Sequence, residues 1–249
     1  MYKIMIDPGH GGKDRANRGP TGYVEADGVL DISLKLKDEL VATGAFEVKL
    51  TRETDATLGV RARGKMAASW GADMFISEHT NSSGLASNTT VRGTEVYTSV
   101  DLKDDALGAE MAKAVAESIG TKNIGAKKRK SNNNPEEDYY AVIDEAQDGG
   151  VAHILLIESA FHDNKDDEAL LKDDGKRAAI AKAQAAVICK FYGVSVEEEK
   201  KLNWRQKIVQ EALDLGLITD KTWVDKADET SSIWFVCAIA ISMYKKLKG

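Results

Sequence analysis

A twisted, mainly parallel sheet with helices on both faces, followed by a small all-helical C-terminal module, is the α/β fold that this 249-residue sequence predicts. Two patterns point to the sheet. Short segments rich in β-branched and large apolar residues alternate with longer stretches in which apolar residues recur every three or four positions. A break in composition points to the module: residues 197–201 are three glutamates followed by two lysines, and two further amphipathic stretches come after them.

Strands are expected at residues 2–7, 46–52, 73–79, 94–98 and 153–159, each ending near turn-forming or polar residues. Helical spacing occupies residues 28–43, 58–70, 104–119 and 175–191. Residues 122–138 contain Lys127-Lys128-Arg129-Lys130 and then Ser131-Asn132-Asn133-Asn134-Pro135, with almost nothing apolar, and read as a surface loop. The organisation expected is an α/β domain at 1–193, a linker at 194–202 and a helical module at 203–249. In that module Trp204, Ile208, Ala212 and Leu215 share one helical face, and Ile233, Val236, Ala240 and Met243 share another.

Composition narrows the classes of function. The net charge is −6 and charges of both signs are interspersed, which excludes the basic footprint of a nucleic-acid binder. The opening Met-Tyr-Lys-Ile-Met-Ile-Asp reads as a strand rather than a secretory signal, so synthesis in the cytoplasm without self-directed export is expected. The longest apolar run, residues 233–241, is about half the length a bilayer requires, and no membrane insertion is expected. Cys189 and Cys237 sit in helical patterns and read as buried small apolar side chains. Oligomeric state leaves no signal.

Ligands of open parallel sheets sit beyond the carboxyl ends of the strands, and three polar residues stand at such ends. His10 follows the first strand in Asp7-Pro8-Gly9-His10-Gly11-Gly12, where glycines permit sharp turns and close backbone approach. His79 ends another strand, in Ser77-Glu78-His79-Thr80-Asn81, and Glu158 lies near the end of a third, in Leu155-Leu156-Ile157-Glu158-Ser159. A charged side chain after Ile154-Leu155-Leu156-Ile157, in a segment otherwise fit for burial, needs a strong reason.

These segments resemble the zinc-dependent N-acetylmuramoyl-L-alanine amidases of sporulation, cell-separation and phage-lysis systems. The resemblance covers about residues 2–193 and runs in order through residues 6–12, Glu25, residues 50–55, Arg61, Ala67, residues 71–77 with His79 and Asn81, and residues 156–161. It implies Zn²⁺ held by His10, Glu25 and His79, with a fourth position left for water, and Glu158 as the catalytic carboxylate that moves the proton. Glu25 is the ligand with a competing role, because a glutamate before a helix also opposes the helix dipole, and Asp27 and Asp31 are close by.

The sequence departs from the family at Glu78, where an apolar residue is usual, and at His162. Alternation along the strand puts Glu78 on the opposite face from His79, and a helix cation is the partner expected for it. The resemblance implies hydrolysis of the amide between N-acetylmuramic acid and L-alanine in peptidoglycan. The role expected is that of a phage or prophage endolysin reaching the wall after holin-type release, or of a mother-cell lytic amidase, with the C-terminal module as a candidate wall binder. A zinc peptidase or deacetylase on a similar sheet, and a non-catalytic wall-binding protein, are the alternatives. The Lys127–Lys130 cluster borders the groove where, by the same resemblance, a stem peptide lies.

Overall fold

The computed structural model describes residues 1–195, 203–227 and 231–248, and the chain forms two compact units, residues 1–196 and 197–249. Most of the expected linker, from residue 196 to residue 202, lies outside the described residues. In the first unit the described strands are β1 (Tyr2–Pro8), β2 (Phe46–Leu50), β3 (Met74–Asn81), β4 (Thr94–Thr98), β5 (Asn123–Lys128) and β6 (His153–Phe161). They make one sheet in the order β2-β1-β3-β6-β4-β5. Every neighbouring pair is parallel except β4 and β6, which run antiparallel.

The alternation of side chains along the strands decides which helix each residue meets. Ile4 and Ile6 of β1, Met74 and Ile76 of β3 and Leu155 and Ile157 of β6 join one core. That core is completed by α1 (Glu25–Ala42), α3 (Asp105–Ile119) and α6 (Asp174–Phe191). The intervening Met5, Phe75, Ile154 and Leu156 point the other way, into a second core with α2 (Val60–Trp70) and α4 (Ala141–Asp148). Central strands buried on both faces explain the unbroken apolar runs in the sequence. Each large aliphatic side chain removed from water there contributes roughly 1.5–3 kcal/mol.

Residues 122–138 are not a loop throughout. Residues 123–128 form the edge strand β5, paired in parallel with β4, and residues 129–139 continue as a hairpin closed by the Lys130–Asp138 bridge. Asn-Ile-Gly-Ala-Lys-Lys has little strand propensity of its own. It is ordered by β4 beside it and by α3, whose Gly108 leaves room for Ala126. The helices α4 and α5 (Lys165–Lys172) were also absent from the expected set; at eight residues each they are too short for the periodicity to stand out.

The second unit contains α7 (Trp204–Asp214), a short 3-10 turn at Lys221–Trp223 and α8 (Ser231–Lys248). Asn203 and Gln206 form a reciprocal capping box at the start of α7. The face expected on α7 packs except at Trp204, since Ala212 is in the core and Ile208 and Leu215 lie against it, whereas on α8 the packed face differs from the expected one. Val209 and Ala212 of α7 meet Val224, Ala227 and Cys237 and Ile241 of α8, while Trp204, Val236 and Met243 are exposed. Because α8 is apolar almost all round from Ile233 to Ile241, the spacing could not select a face; the side chain of Ile233 lies outside the described residues. Cys189 and Cys237 are both buried free thiols. Among the described residues no helix is long and apolar enough to cross a membrane.

Glu78 is fully buried and meets α6, but its partner is an amide rather than a cation: Gln184 Nε2 donates to Glu78 Oε2 at 3.1 Å. Glu78 Oε1 and Gln184 Oε1 have no other partner. A proton on Glu78 Oε1 would turn one of those acceptors into a donor, which an ionised carboxylate cannot supply. Burial pushes the Glu78 carboxyl up to about 7, against the pull of Gln184 and His79. A folded-state value above the unfolded one means that the stabilisation is complete below the unfolded value and is lost as pH rises through the folded one. Unfolding free energy should therefore decline by an amount of order 3 kcal/mol from this group between pH 4.5 and about 7. Glu78→Gln preserves the pairing without the proton, so denaturant titrations at pH 5 and pH 8 should show a smaller drop in the variant than in the unchanged protein. Equal drops would show that Glu78 is ionised throughout.

Candidate metal centre

The centre is built first from backbone. Between β1 and the residues that follow, the chain passes beneath the imidazole of His79 so closely that a Cβ on Gly9 would lie 2.3–2.7 Å from its ring atoms. His10 then adopts φ +56°, a conformation that non-glycine residues rarely hold and that surrounding contacts must impose. Two buried guanidinium groups supply those contacts. Arg52 donates from Nε to the Pro8 carbonyl (2.9 Å) and from Nη2 to the carbonyls of Gly9 (2.7 Å) and Ala26 (2.8 Å). Arg63 donates from Nη1 to the Pro8 carbonyl (2.7 Å) and from Nη2 to that of His10 (2.6 Å).

The charge of Arg63 is met by Asp7, also buried, at 2.8 Å, and Asp7 in turn accepts from Thr51 and Ser77. A buried ion pair with all its remaining hydrogen bonds made escapes the penalty of an unpaired charge. Of the arginines on α2, Arg61 is exposed and pairs with Glu145 at the surface. The internal role belongs to Arg63.

Glu25 is the first residue of α1 and is 1% exposed. Its Oε1 lies 3.1 Å from His79 Nδ1 and accepts from the Thr80 amide at 2.9 Å. Its Oε2 lies 3.3 Å from His10 Nε2 and accepts from Asn17 Nδ2 at 2.8 Å. Burial works to raise the Glu25 carboxyl, yet the contacts with the two imidazoles more than reverse it and hold the group well below the usual carboxylate range. Both imidazoles are raised correspondingly by Glu25, against burial. Asp14 accepts from His10 Nδ1 at 2.8 Å and so fixes the ring with Nε2 facing Glu25.

One atom each from His10, Glu25 and His79 can be chosen so that all lie within 4.8 Å of one another. Two imidazole nitrogens and one carboxylate oxygen, around a buried anion whose charge calls for a cation, are the donor set of a catalytic zinc with one position open. The residues present therefore fit Zn²⁺. His162 lies outside the cluster: it is buried with Nδ1 3.0 Å from both Thr80 Oγ1 and the Thr80 carbonyl, and 3.8 Å from Glu25. His153 is at the opposite end of β6 and pairs with Asp104.

Glu158 stands directly across from His79 in the β3–β6 register. Burial pushes it up to about 7; His79 acts downward, and Glu25 and Glu95 add to the rise. Its Oε2 is buried without a hydrogen-bond partner. Glu95 faces Glu158 from β4 and is held by Asn81 (2.7 Å), by Tyr97 (2.8 Å) and by Lys127. Asp14, Asn17 and Glu95 were not anticipated from the sequence. A glutamate within Thr-Glu-Val-Tyr-Thr was a usable signal; an aspartate four residues after His10 was a faint one.

The profile of the N-acetylmuramoyl-L-alanine amidase family matches residues 4–190. The endolysin of Bacillus phage SPP1 is 29% identical over 190 residues, 76% of this chain and 65% of the phage protein. The N-acetylmuramoyl-L-alanine amidase LytC of Bacillus subtilis is 31% identical over 172 residues, 68% of this chain and 31% of LytC. The chain thus spans less than two thirds of either relative's length. Among solved structures, the catalytic domain of the amidase CwlV from Bacillus (Paenibacillus) polymyxa superposes with a TM-score of 0.67 at 29% identity, covering 78% of this chain and all of that one. With three quarters of its length matched, this chain belongs to the N-acetylmuramoyl-L-alanine amidase family.

Proposed function

We propose that the protein hydrolyses the amide joining the lactyl group of N-acetylmuramic acid to L-alanine in peptidoglycan, using Zn²⁺ held by His10, Glu25 and His79. The observation that carries this reading is Glu158: a buried carboxyl directly across from His79, pushed up to about 7, with one oxygen free of any partner. Bound in the cluster, Zn²⁺ supplies Lewis acidity towards a carbonyl oxygen and lowers the pKa of water. Glu158 accepts a proton at its free Oε2 and returns it to the departing amine, a double role suited to a group that titrates near neutrality. Asp14 holds His10 in one tautomer, and Arg52 and Arg63 hold the loop that carries it. The family is generally metal-dependent, which supports the assignment.

The setting we propose is lysis of a bacterial wall, as a phage or prophage endolysin released by a holin or as a lytic amidase freed on cell lysis. Residues 1–193 supply the chemistry in this reading. Residues 203–249, which have their own small core and expose Trp204, supply attachment to the wall.

The purified protein should carry about one Zn²⁺ per chain, measured by atomic emission. His10→Ala and His79→Ala should lose both metal and lytic activity, since two remaining ligands hold a catalytic ion weakly. Full activity after exhaustive chelation would remove the metal from the reaction. Glu158→Gln should keep its zinc and its fold while turnover falls roughly 10²-fold or more. A variant that sheds zinc yet retains turnover would make Glu158 a ligand instead.

A further inference from the structure

On the sheet face that carries Glu158, the helices α2 and α4 leave β4 and β5 partly uncovered. The result is a trough of about 530 Å³ lined by Asn81, Glu95, Tyr97, Lys127, Arg129 and Tyr140 among others. Its floor begins beside Glu158, because Glu95 is the residue directly opposite Glu158 in the β4–β6 pairing. Tyr97 packs on Tyr140 with ring centroids 4.8 Å apart, forming an aromatic wall.

The charges in the trough are unequal. Arg92, Lys122, Lys127 and Arg129 line it against the single carboxylate of Glu95. Lys127 is taken by Glu95, and Arg92 by Asp166 and Asp167. Arg129 has no carboxylate partner among the described residues. It is nevertheless held in place: its guanidinium lies 3.4 Å from the centre of the Tyr139 ring and 6.0 Å from that of Tyr140. Tyr139 donates its backbone amide to the Arg129 carbonyl across the 129–139 hairpin at 2.8 Å. A guanidinium stacked on its face keeps its N–H edge available, and that fork matches a carboxylate bidentately. The Tyr140 phenol is pushed up by burial and then by Glu158, and pulled down by Tyr97 and Arg129.

We propose that the trough receives the peptide half of the substrate and that Arg129, fixed by Tyr139, binds a free carboxylate on that peptide. The proposal rests on the amidase reading, which makes the ligand a peptidyl amide. It adds a specificity that the reading does not contain, namely preference for stem peptides whose carboxylates are free over those in which they are amidated.

The test uses two synthetic muramyl peptides that differ only in whether their peptide carboxylates are free or amidated, with the full-length zinc-loaded protein. The unchanged protein should favour the free acid by about 10- to 100-fold in kcat/KM, the scale of one charge-assisted bidentate contact. Arg129→Gln should abolish the preference by raising KM for the free acid, with kcat and the amidated substrate unaffected, and Arg129→Lys should restore part of it. Equal losses on both substrates, or a preference that survives Arg129→Gln, would overturn the proposal. Calorimetric titration of both peptides into Glu158→Gln protein reads the trough without turnover. If neither peptide is cleaved, the amidase reading fails, and the calorimetry still decides the trough: free-acid preference abolished by adding Arg129→Gln upholds it, and indifference to the carboxylate refutes it.

Discussion

The candidate metal centre at the carboxyl ends of β1 and β3 is arranged around one buried negative charge, the carboxylate of Glu25. A carboxylate withdrawn from water costs several kcal/mol unless it is paired and hydrogen-bonded. Here Asn17, the Thr80 amide and two imidazoles converge on it. That requirement dictates the local backbone. His79, near the end of β3, must point at Glu25, Gly9 must lack a side chain so that the loop can pass beneath the ring, and His10 must be held at a left-handed φ. The buried Arg52 and Arg63 are the further consequence, since a loop folded so tightly has carbonyls that need donors and Arg63 needs Asp7.

Glu78 and Glu158, the two carboxyls on either side of this centre, meet opposite demands. Glu78 faces the α1/α3/α6 core, where one oxygen accepts from Gln184 and the other has no partner. Glu158 lies across from His79 with one buried oxygen that has no hydrogen-bond partner, which suits the proton-moving role proposed for it. Burial raises both to about 7. The difference in role comes from what each oxygen can touch, and perturbed acidity alone does not separate a structural carboxyl from a catalytic one.

His10, His79 and Glu158 were legible because each interrupts or ends a strongly apolar strand, and a parallel sheet gathers such ends in one place. Glu25 was legible only through family resemblance, since its spacing also suits a helix-dipole charge. What stayed hidden depended on tertiary partners. The edge strand β5 takes its conformation from β4, and Gln184 reaches Glu78 across 106 residues. Arg61 and Arg63 are two positions apart, so the choice of which turns inward follows from the exact rotation of α2, which sequence periodicity fixes loosely. The same looseness misplaced the buried face of α8, whose apolar residues surround the helix and leave Cys237 and Ile241 to meet α7.

The most direct measurement of the central claim is the chemical identity of the bond broken. Purified wall digested with the zinc-loaded protein should release peptides with new L-alanine amino termini and leave glycan whose muramic acid carries a free lactyl carboxylate, both assignable by mass spectrometry. New reducing ends in the glycan, or new amino termini within the peptide, would contradict the account.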